Sequence, residues 1–189
     1  MKNKFKNNEK GFALPLALLL LVVMTIMGVT LVSITSKDHK ANTNKDISQQ
    51  AFYAAESGIN QAKKYLVDTK TLTSQNNPNS KSRFCKTSFF PNLNQSTVKA
   101  INTYVGKNNL SELISASGSE NTRLSEYSFE YFITYTPDSN GNTSSMRYKA
   151  GTKNTYFTIH SCGCNERKDK CTAQSNIIVP LEAVVTLIK

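Results

Sequence analysis

Residues 12–36 of this chain have the sequence FALPLALLLLVVMTIMGVTLVSITS, twenty-five positions without a charged side chain. A helix of about 20 apolar residues crosses a bilayer core of roughly 30 Å. A run of this length does not fit an ordinary soluble cytoplasmic domain, because such a domain could not keep it away from water. The stretch therefore predicts one membrane-spanning helix.

The residues on either side of this stretch predict its orientation. The leader, residues 1–11, contains four lysines and one glutamate, and a positively charged flank stays in the cytoplasm. Residues beyond Lys37 are therefore expected on the other side of the inner membrane. A removable secretory signal is disfavoured, because its apolar region has about 7–15 residues and ends at a small-x-small site. Val32-Ser33-Ile34 is a poor match to such a site.

The composition of the whole chain limits the classes of function. A length of 189 residues suits one domain plus one special segment, and there are only two histidines and four cysteines. The chain therefore has few side chains that could form a metal site or an acid–base site. Glu56 is a candidate catalytic carboxylate, but no histidine or second acid accompanies it, so a role on the helix surface or as a cap of the spine is favoured. We expect neither an enzyme nor a bound cofactor.

Two short patterns resemble one protein family. Lys10-Gly11-Phe12 places glycine and phenylalanine at the boundary between the charged leader and the apolar stretch, as in type IV pilin signals. Residues 49–59, QQAFYAAESGI, resemble a signature of PilX-like minor pilins, which falls on Ala51, Phe52, Ala54, Ala55 and Glu56. A generic anchor would have to carry both patterns, at the right spacing, by coincidence. The resemblance extends weakly to residues 156–161 and 181–185.

The resemblance implies a processing site, a fold and a set of partners. In type IV pilins a membrane peptidase cuts after the glycine, here Gly11, and the new terminal residue, here Phe12, is methylated. The implied fold is α+β, with a long N-terminal helix, membrane-spanning in its first half, packed on an antiparallel four-stranded meander. The implied partners are other major and minor pilins, the prepilin peptidase, the inner-membrane assembly platform and a tip adhesin.

One position departs from the family pattern. Major type IV pilins carry a glutamate at the fifth mature position, where this chain has Leu16. That carboxylate is thought to pair with the amino terminus of a neighbouring subunit. Since an apolar side chain cannot neutralise a charge buried in the filament, we interpret Leu16 as a sign of a scarce subunit at or near the filament tip.

Small and apolar residues continue beyond the anchor at steps of three and four, the spacing of one helical face. They are Ile47, Ala51, Ala54, Ala55, Gly58, Ile59, Ala62 and Leu66. We predict one helix from Leu14 to Lys70, with residues 12–36 in the membrane and 37–70 as a spine on which a sheet can approach closely. Asn and Pro at 76–80 are expected to prevent its continuation.

Residues 71–125 are predicted to form a connecting αβ region, with a short amphipathic helix over 96–105. Residues 126–189 are predicted to form the sheet and a Cys loop. In the first strand Ser128, Glu130 and Thr134 form a polar side, which Phe132 interrupts, so both faces are expected to be partly covered. The predicted strands are 127–135, 145–150, 155–161 and 177–188. Pro180 favours an edge or a bulge, and Asn140-Gly141 favours a turn.

All four cysteines follow the anchor. In an oxidising compartment, Cys85, Cys162, Cys164 and Cys171 are expected to form disulfides. Cys162 and Cys164 are too close in sequence for an easy mutual bridge, so one of them is expected to pair with Cys171 and the other with Cys85. A zinc site that also uses His160 is the alternative, although the Cys-x-Cys spacing is uncommon for zinc. Redox catalysis would need a Cys-x-x-Cys motif, which the sequence lacks.

The net charge of +10 suggests attraction to DNA, acidic polysaccharide or an acidic partner. The basic residues are scattered, apart from a small cluster at 167–170, and no nucleic-acid reading motif accompanies them. Nucleic-acid binding is therefore not indicated.

The sequence as a whole favours a minor pilin with a role in assembly, adhesion, aggregation or motility. A type II secretion pseudopilin and a singly anchored periplasmic protein that is never cleaved remain the alternatives.

Overall fold

The computed structural model describes residues 13–69, 76–105, 109–114, 117–143, 155–167, 169–172 and 177–187. Its elements are α1 (Ala13–Asp68), α2 (Pro78–Lys81), a 3₁₀ turn (Thr87–Phe89), β1 (Asn102–Tyr104), α3 (Leu110–Leu113), α4 (Gly118–Leu124), β2 (Ser128–Tyr135), β3 (Thr155–Cys164) and β4 (Ile178–Leu187). Gly11, Phe12 and the predicted strand 145–150 lie outside the described residues.

The long helix predicted for residues 14–70 is confirmed as α1. The chain divides into two compact units, one up to Lys45 and one from Asp46 onward. In the first unit every described side chain is exposed, and α1 is long and apolar enough to cross a membrane, by length and composition. These properties fit a membrane anchor that precedes a C-terminal domain.

Threonines within the apolar part of α1 satisfy their own hydroxyl groups. The hydroxyls of Thr25, Thr30 and Thr35 donate to helix carbonyls three or four residues earlier, at distances of 2.8–2.9 Å. A free hydroxyl would be costly in hydrocarbon, where no water can accept its proton. The back-bonds make these positions compatible with an apolar surrounding.

The second unit contains a four-stranded antiparallel sheet in the order β1-β2-β3-β4. Ile133 of β2 is paired with Ile159 of β3, which in turn is paired with Ala183 of β4. The predicted antiparallel sheet packed on the long helix is confirmed. Pro180 lies in β4, at one end of this order, as predicted from its missing N–H.

The first strand of the sheet is not one of those predicted. The expected helix over 96–105 is wrong, because residues 102–104 form β1. Tyr104 stacks on Tyr131 with ring centroids 5.1 Å apart, and the Ile101 N–H donates to the Ile133 carbonyl at 2.7 Å. This pairing with β2 outweighs the helical spacing of the local sequence, which is a weak determinant in a short segment.

One face of the sheet packs on α1. The helix contributes the predicted small and apolar stripe, whose members are buried: Ala51, Ala54, Ala55, Gly58, Ile59, Ala62 and Leu66. The sheet contributes large side chains, so that small helix residues meet bulky strand residues across the interface. The core formed in this way includes Ala54, Ile59, Ala62, Leu66, Phe129, Tyr131, Ile133 and Ile159.

The other face of the sheet is covered by the segment 76–101. Phe84, Phe90, Leu93 and Val98 from this segment pack with Phe132 of β2. All eight residues of β2 are consequently buried, so the cover over this strand is complete where we expected it to be partial. The domain therefore has three layers: helix, sheet and connecting segment.

Candidate functional site

The contact between α1 and β3 brings two backbones together. A Cβ atom added to Gly163 would overlap the Ala51 carbonyl oxygen and lie 2.6 Å from the Ala55 nitrogen. The hydroxyl of Ser161 donates to the Ala55 carbonyl at 2.8 Å. Gly58 faces the same Ser161 side chain. Glycine and alanine are required here because no larger side chain fits between helix and strand.

The family-motif residues divide into two groups. Ala51, Ala54 and Ala55 are fully buried against the sheet, so they are packing residues. Phe52 and Glu56 are exposed, and the Phe52 ring is 42% accessible. The second pair therefore lies on the part of α1 that a partner can reach.

Two disulfides join the four cysteines. Cys85 is bonded to Cys162, 77 residues away, and Cys164 is bonded to Cys171. This assigns the two pairings that the sequence left open. All four residues are buried, and none of their sulfurs is left as a thiolate for zinc. The longer bridge ties the connecting segment to the centre of the sheet.

Beside this bridge, Glu130 of β2 holds the start of the connecting segment. Its Oε2 atom accepts hydrogen bonds from the backbone N–H groups of Arg83, Phe84 and Cys85 at 3.0, 3.1 and 3.1 Å. Successive N–H groups that converge in this way form an anion-binding nest. Burial raises the pKa of the Glu130 carboxyl, although these donors and Lys86 act in the opposite direction.

A second buried polar cluster lies on the same face of the sheet. His160 Nδ1 lies 3.2 Å from Oε1 of Glu182, and His160 Nε2 lies 3.1 Å from the Thr134 hydroxyl. The imidazole also contacts the rings of Phe90 and Phe132. Burial lowers the pKa of His160, although Glu182 acts to raise it, so the ring is neutral at neutral pH. The close approach of His160 lowers the pKa of Glu182.

We expect His160 to make the domain less stable below neutral pH. Its pKa is about 6.5 when unfolded and lower when folded, so the unfolded state binds the proton first and stability falls as pH decreases from 6.5. The advantage of the wild type over His160→Gln should therefore shrink between pH 7 and pH 5, by up to about 1.4 kcal/mol per pH unit.

Urea denaturation of both proteins across this range measures the difference. Subtracting the free energies of unfolding of the two proteins cancels the contribution of Glu130, because both proteins contain it. That contribution has the opposite sign: the raised pKa of Glu130 makes the domain more stable as pH falls. The remaining acid in contact with His160 is Glu182, which titrates below this range because its pKa is lowered. A constant difference between the two proteins would contradict the assignment of a neutral buried His160.

A groove of about 340 Å³ lies in the second unit between α1 and the segment that carries α3 and α4. Tyr53 and Tyr127 line it, together with Arg123, which forms an exposed ion pair with Glu120 at 2.8 Å. Its described lining contains one carboxylate, Asp46, and no histidine or cysteine. The groove therefore lacks the paired groups of an acid–base or nucleophilic site. Among the residues described, no group of three His, Cys, Asp or Glu is placed to hold a metal ion.

Sequence reasoning missed Glu130 and Gly163. Glu130 resembled a solvent-facing residue in an alternating strand, and its partners at 83–85 are more than forty positions away. Gly163 stands between two cysteines, and its neighbours Ala51 and Ala55 are distant in sequence, so no local pattern indicated this contact. The one local signal for Glu130 was Phe132, which indicated that the polar side of β2 is not fully solvated.

Comparison with protein-family models gives a match over the N-terminal part of the chain. Residues 10–60 match the family described as PilX N-terminal. The matched range includes the leader boundary at 10–12 and the motif at 51–56, the two patterns on which the resemblance rests. Comparisons of the chain with curated proteins and with solved structures give no match.

Proposed function

We propose that this chain, whose residues 10–60 match the PilX N-terminal family, is a minor pilin of a type IV pilus, with a structural and not an enzymatic role. The observation that carries this proposal is the exposed apolar surface of α1 within the first unit. Its apolar side chains from Leu14 to Ile34 are exposed, and a surface of that kind needs lipid or other apolar helices to cover it.

The proposed path begins in the inner membrane. The prepilin peptidase removes residues 1–11 and Phe12 becomes the methylated terminus, after which the assembly platform transfers α1 from lipid to the helices of major and minor pilins. The second unit remains outside the membrane, where exposed Phe52 and Glu56 are available to neighbouring subunits. A tip adhesin is the further candidate partner.

Leu16 supports a place at or near the filament tip. This residue is apolar and exposed, so it offers no carboxylate to neutralise the terminal amine of a neighbour. A subunit repeated along the shaft would leave that amine unpaired among apolar helices, which is costly. A priming or tip-associated subunit avoids most of this cost because it occurs rarely.

The experiment that tests this proposal replaces Gly11 by valine. We expect processing to fall from complete to undetectable, because the family pattern has glycine directly before the cut and valine would place a branched side chain there. Intact-mass spectrometry of the protein extracted from membranes measures it: the wild type should begin at N-methylated Phe12, and the variant should keep the leader. Surface fibres, counted by electron microscopy, should be largely lost in cells that carry the variant.

Gly28→Val is the matched control. Gly28 lies within α1, and a Cβ added there meets nothing within 4 Å, so processing should be unchanged. A wild-type protein that retains Met1 would contradict the proposal and favour the uncleaved periplasmic anchor. Normal processing with no fibres on wild-type cells would favour the secretion pseudopilin.

A further inference from the structure

The four cysteines could pair in 3 ways, and the structure contains one of them. Cys162 and Cys164 are two positions apart on β3, so their side chains lie on the same face of the sheet. Both are fully buried. Cys85 arrives from a segment 77 residues away, and sequence distance alone does not favour Cys162 over Cys164. Some contact must direct Cys85 to the correct sulfur.

Neighbouring residues on β2 supply such a contact. Glu130 is directly opposite Cys162 in the antiparallel register, and Ser128 is directly opposite Cys164. The Glu130 carboxylate accepts the N–H of Cys85 itself at 3.1 Å. The Ser128 hydroxyl donates to the carbonyl of Glu166, at 2.7 Å, within the loop that leads to Cys171. Each β2 residue therefore holds the segment that carries the partner of the cysteine opposite to it.

We infer that Glu130 determines the disulfide pairing by holding residues 83–85 opposite Cys162 before the bond forms. Hydrogen bonds to a carboxylate are short and about twice as strong as neutral ones. Three successive backbone donors converge on Oε2, and Arg83 N also lies 3.3 Å from Oε1. This arrangement fixes the direction of the backbone at Cys85, and Glu130 is completely buried, so water does not compete for it.

The oxidation itself follows ordinary thiol–disulfide exchange. One thiolate of the pair attacks an external disulfide, either a protein disulfide of the extracytoplasmic compartment or oxidised glutathione, and releases one thiol from it. The second thiolate then attacks the mixed disulfide and releases the other thiol. The two electrons and two protons leave with the oxidant, which is reduced to two thiols. Glu130 takes no part in this exchange and is a positioning residue.

The test uses the full-length chain in detergent micelles. The protein is reduced in urea, diluted into a mixture of reduced and oxidised glutathione, quenched by alkylation and digested. Electron-transfer fragmentation of the linked peptides then distinguishes Cys162 from Cys164. In Glu130→Leu the ratio of Cys85–Cys162 to Cys85–Cys164 should fall at least about tenfold, the loss expected for one charge-assisted hydrogen bond. Glu130→Gln keeps one acceptor oxygen and should give an intermediate ratio.

Two controls separate positioning from a general loss of stability. Leu66→Ala weakens the core on the opposite face of the sheet, where Leu66 is buried, and should keep the native pairing. Glu182→Gln removes another acid from the same face and should also keep it. Native pairing in Glu130→Leu, or equal scrambling in Leu66→Ala, would overturn the inference. Because the readout is disulfide identity, the result does not depend on whether the chain functions in a pilus.

Discussion

Replacing Gly163 by alanine is expected to lower the free energy of unfolding of the second unit by about 3 kcal/mol, the upper part of the range for an overpacked site. The new Cβ would overlap the Ala51 carbonyl oxygen and lie 2.6 Å from the Ala55 nitrogen. Both neighbours are backbone atoms of a helix, which cannot turn away as a side chain can. β3 would have to move away from α1, and this movement would weaken the packing of the small helix residues between Ala51 and Leu66 against the sheet.

Urea denaturation of the full-length chain in detergent, followed by near-ultraviolet circular dichroism, measures this effect. The chain has eight tyrosines and no tryptophan, and all eight lie beyond Lys45, so the signal reports the second unit.

Gly58→Ala is the comparison variant, for which we expect a smaller loss of stability than for Gly163→Ala. Its Cβ would meet the side chains of Ser161 and Phe129, which can shift, so we expect a loss of about 1 kcal/mol. A Gly163→Ala protein as stable as the wild type would show that helix and strand are farther apart than described.

Removing the longer disulfide, by Cys85→Ala together with Cys162→Ala, should cost about 4 kcal/mol on the loop-entropy model. The bridge closes a loop of 77 residues, and opening it enlarges the unfolded ensemble. The same denaturation experiment measures the loss, and we expect the variant to unfold at much lower urea.

The other disulfide provides the matched control. Cys164→Ala with Cys171→Ala opens a loop of only 7 residues, so the expected cost is about 2 kcal/mol. Both double variants remove two buried sulfurs, and the difference between them therefore reports loop length. Equal losses would contradict the entropic explanation and point to local packing around each bridge.

Local periodicity was sufficient to predict α1, because its small stripe repeats over many turns from Ala51 to Leu66. It was also sufficient for β2, where aromatic residues alternate. It failed at 102–104, where three residues become a strand only because Ile133 and Tyr131 are already in place beside them.

The buried polar groups were beyond sequence reasoning for a related reason. Glu130 and His160 are found in strands where a polar residue normally indicates the solvent side. Their partners come from distant segments, so the specific contacts of these two side chains could not be inferred before the third layer was known. Sequence spacing narrowed the disulfide pattern to two alternatives, and the structure contains one of them, Cys85–Cys162 with Cys164–Cys171.

The back-bonded threonines of α1 have a consequence for any change of surroundings. The hydroxyl groups of Thr25, Thr30 and Thr35 each donate their proton to a carbonyl of the same helix. None of these hydroxyl protons therefore requires an acceptor from lipid or from another chain. Passage of the rod from a fluid hydrocarbon into a crowded protein interior would break none of these bonds. These hydroxyl groups therefore favour neither lipid nor protein as the surroundings of α1. A transfer between the two would have to be driven by other interactions.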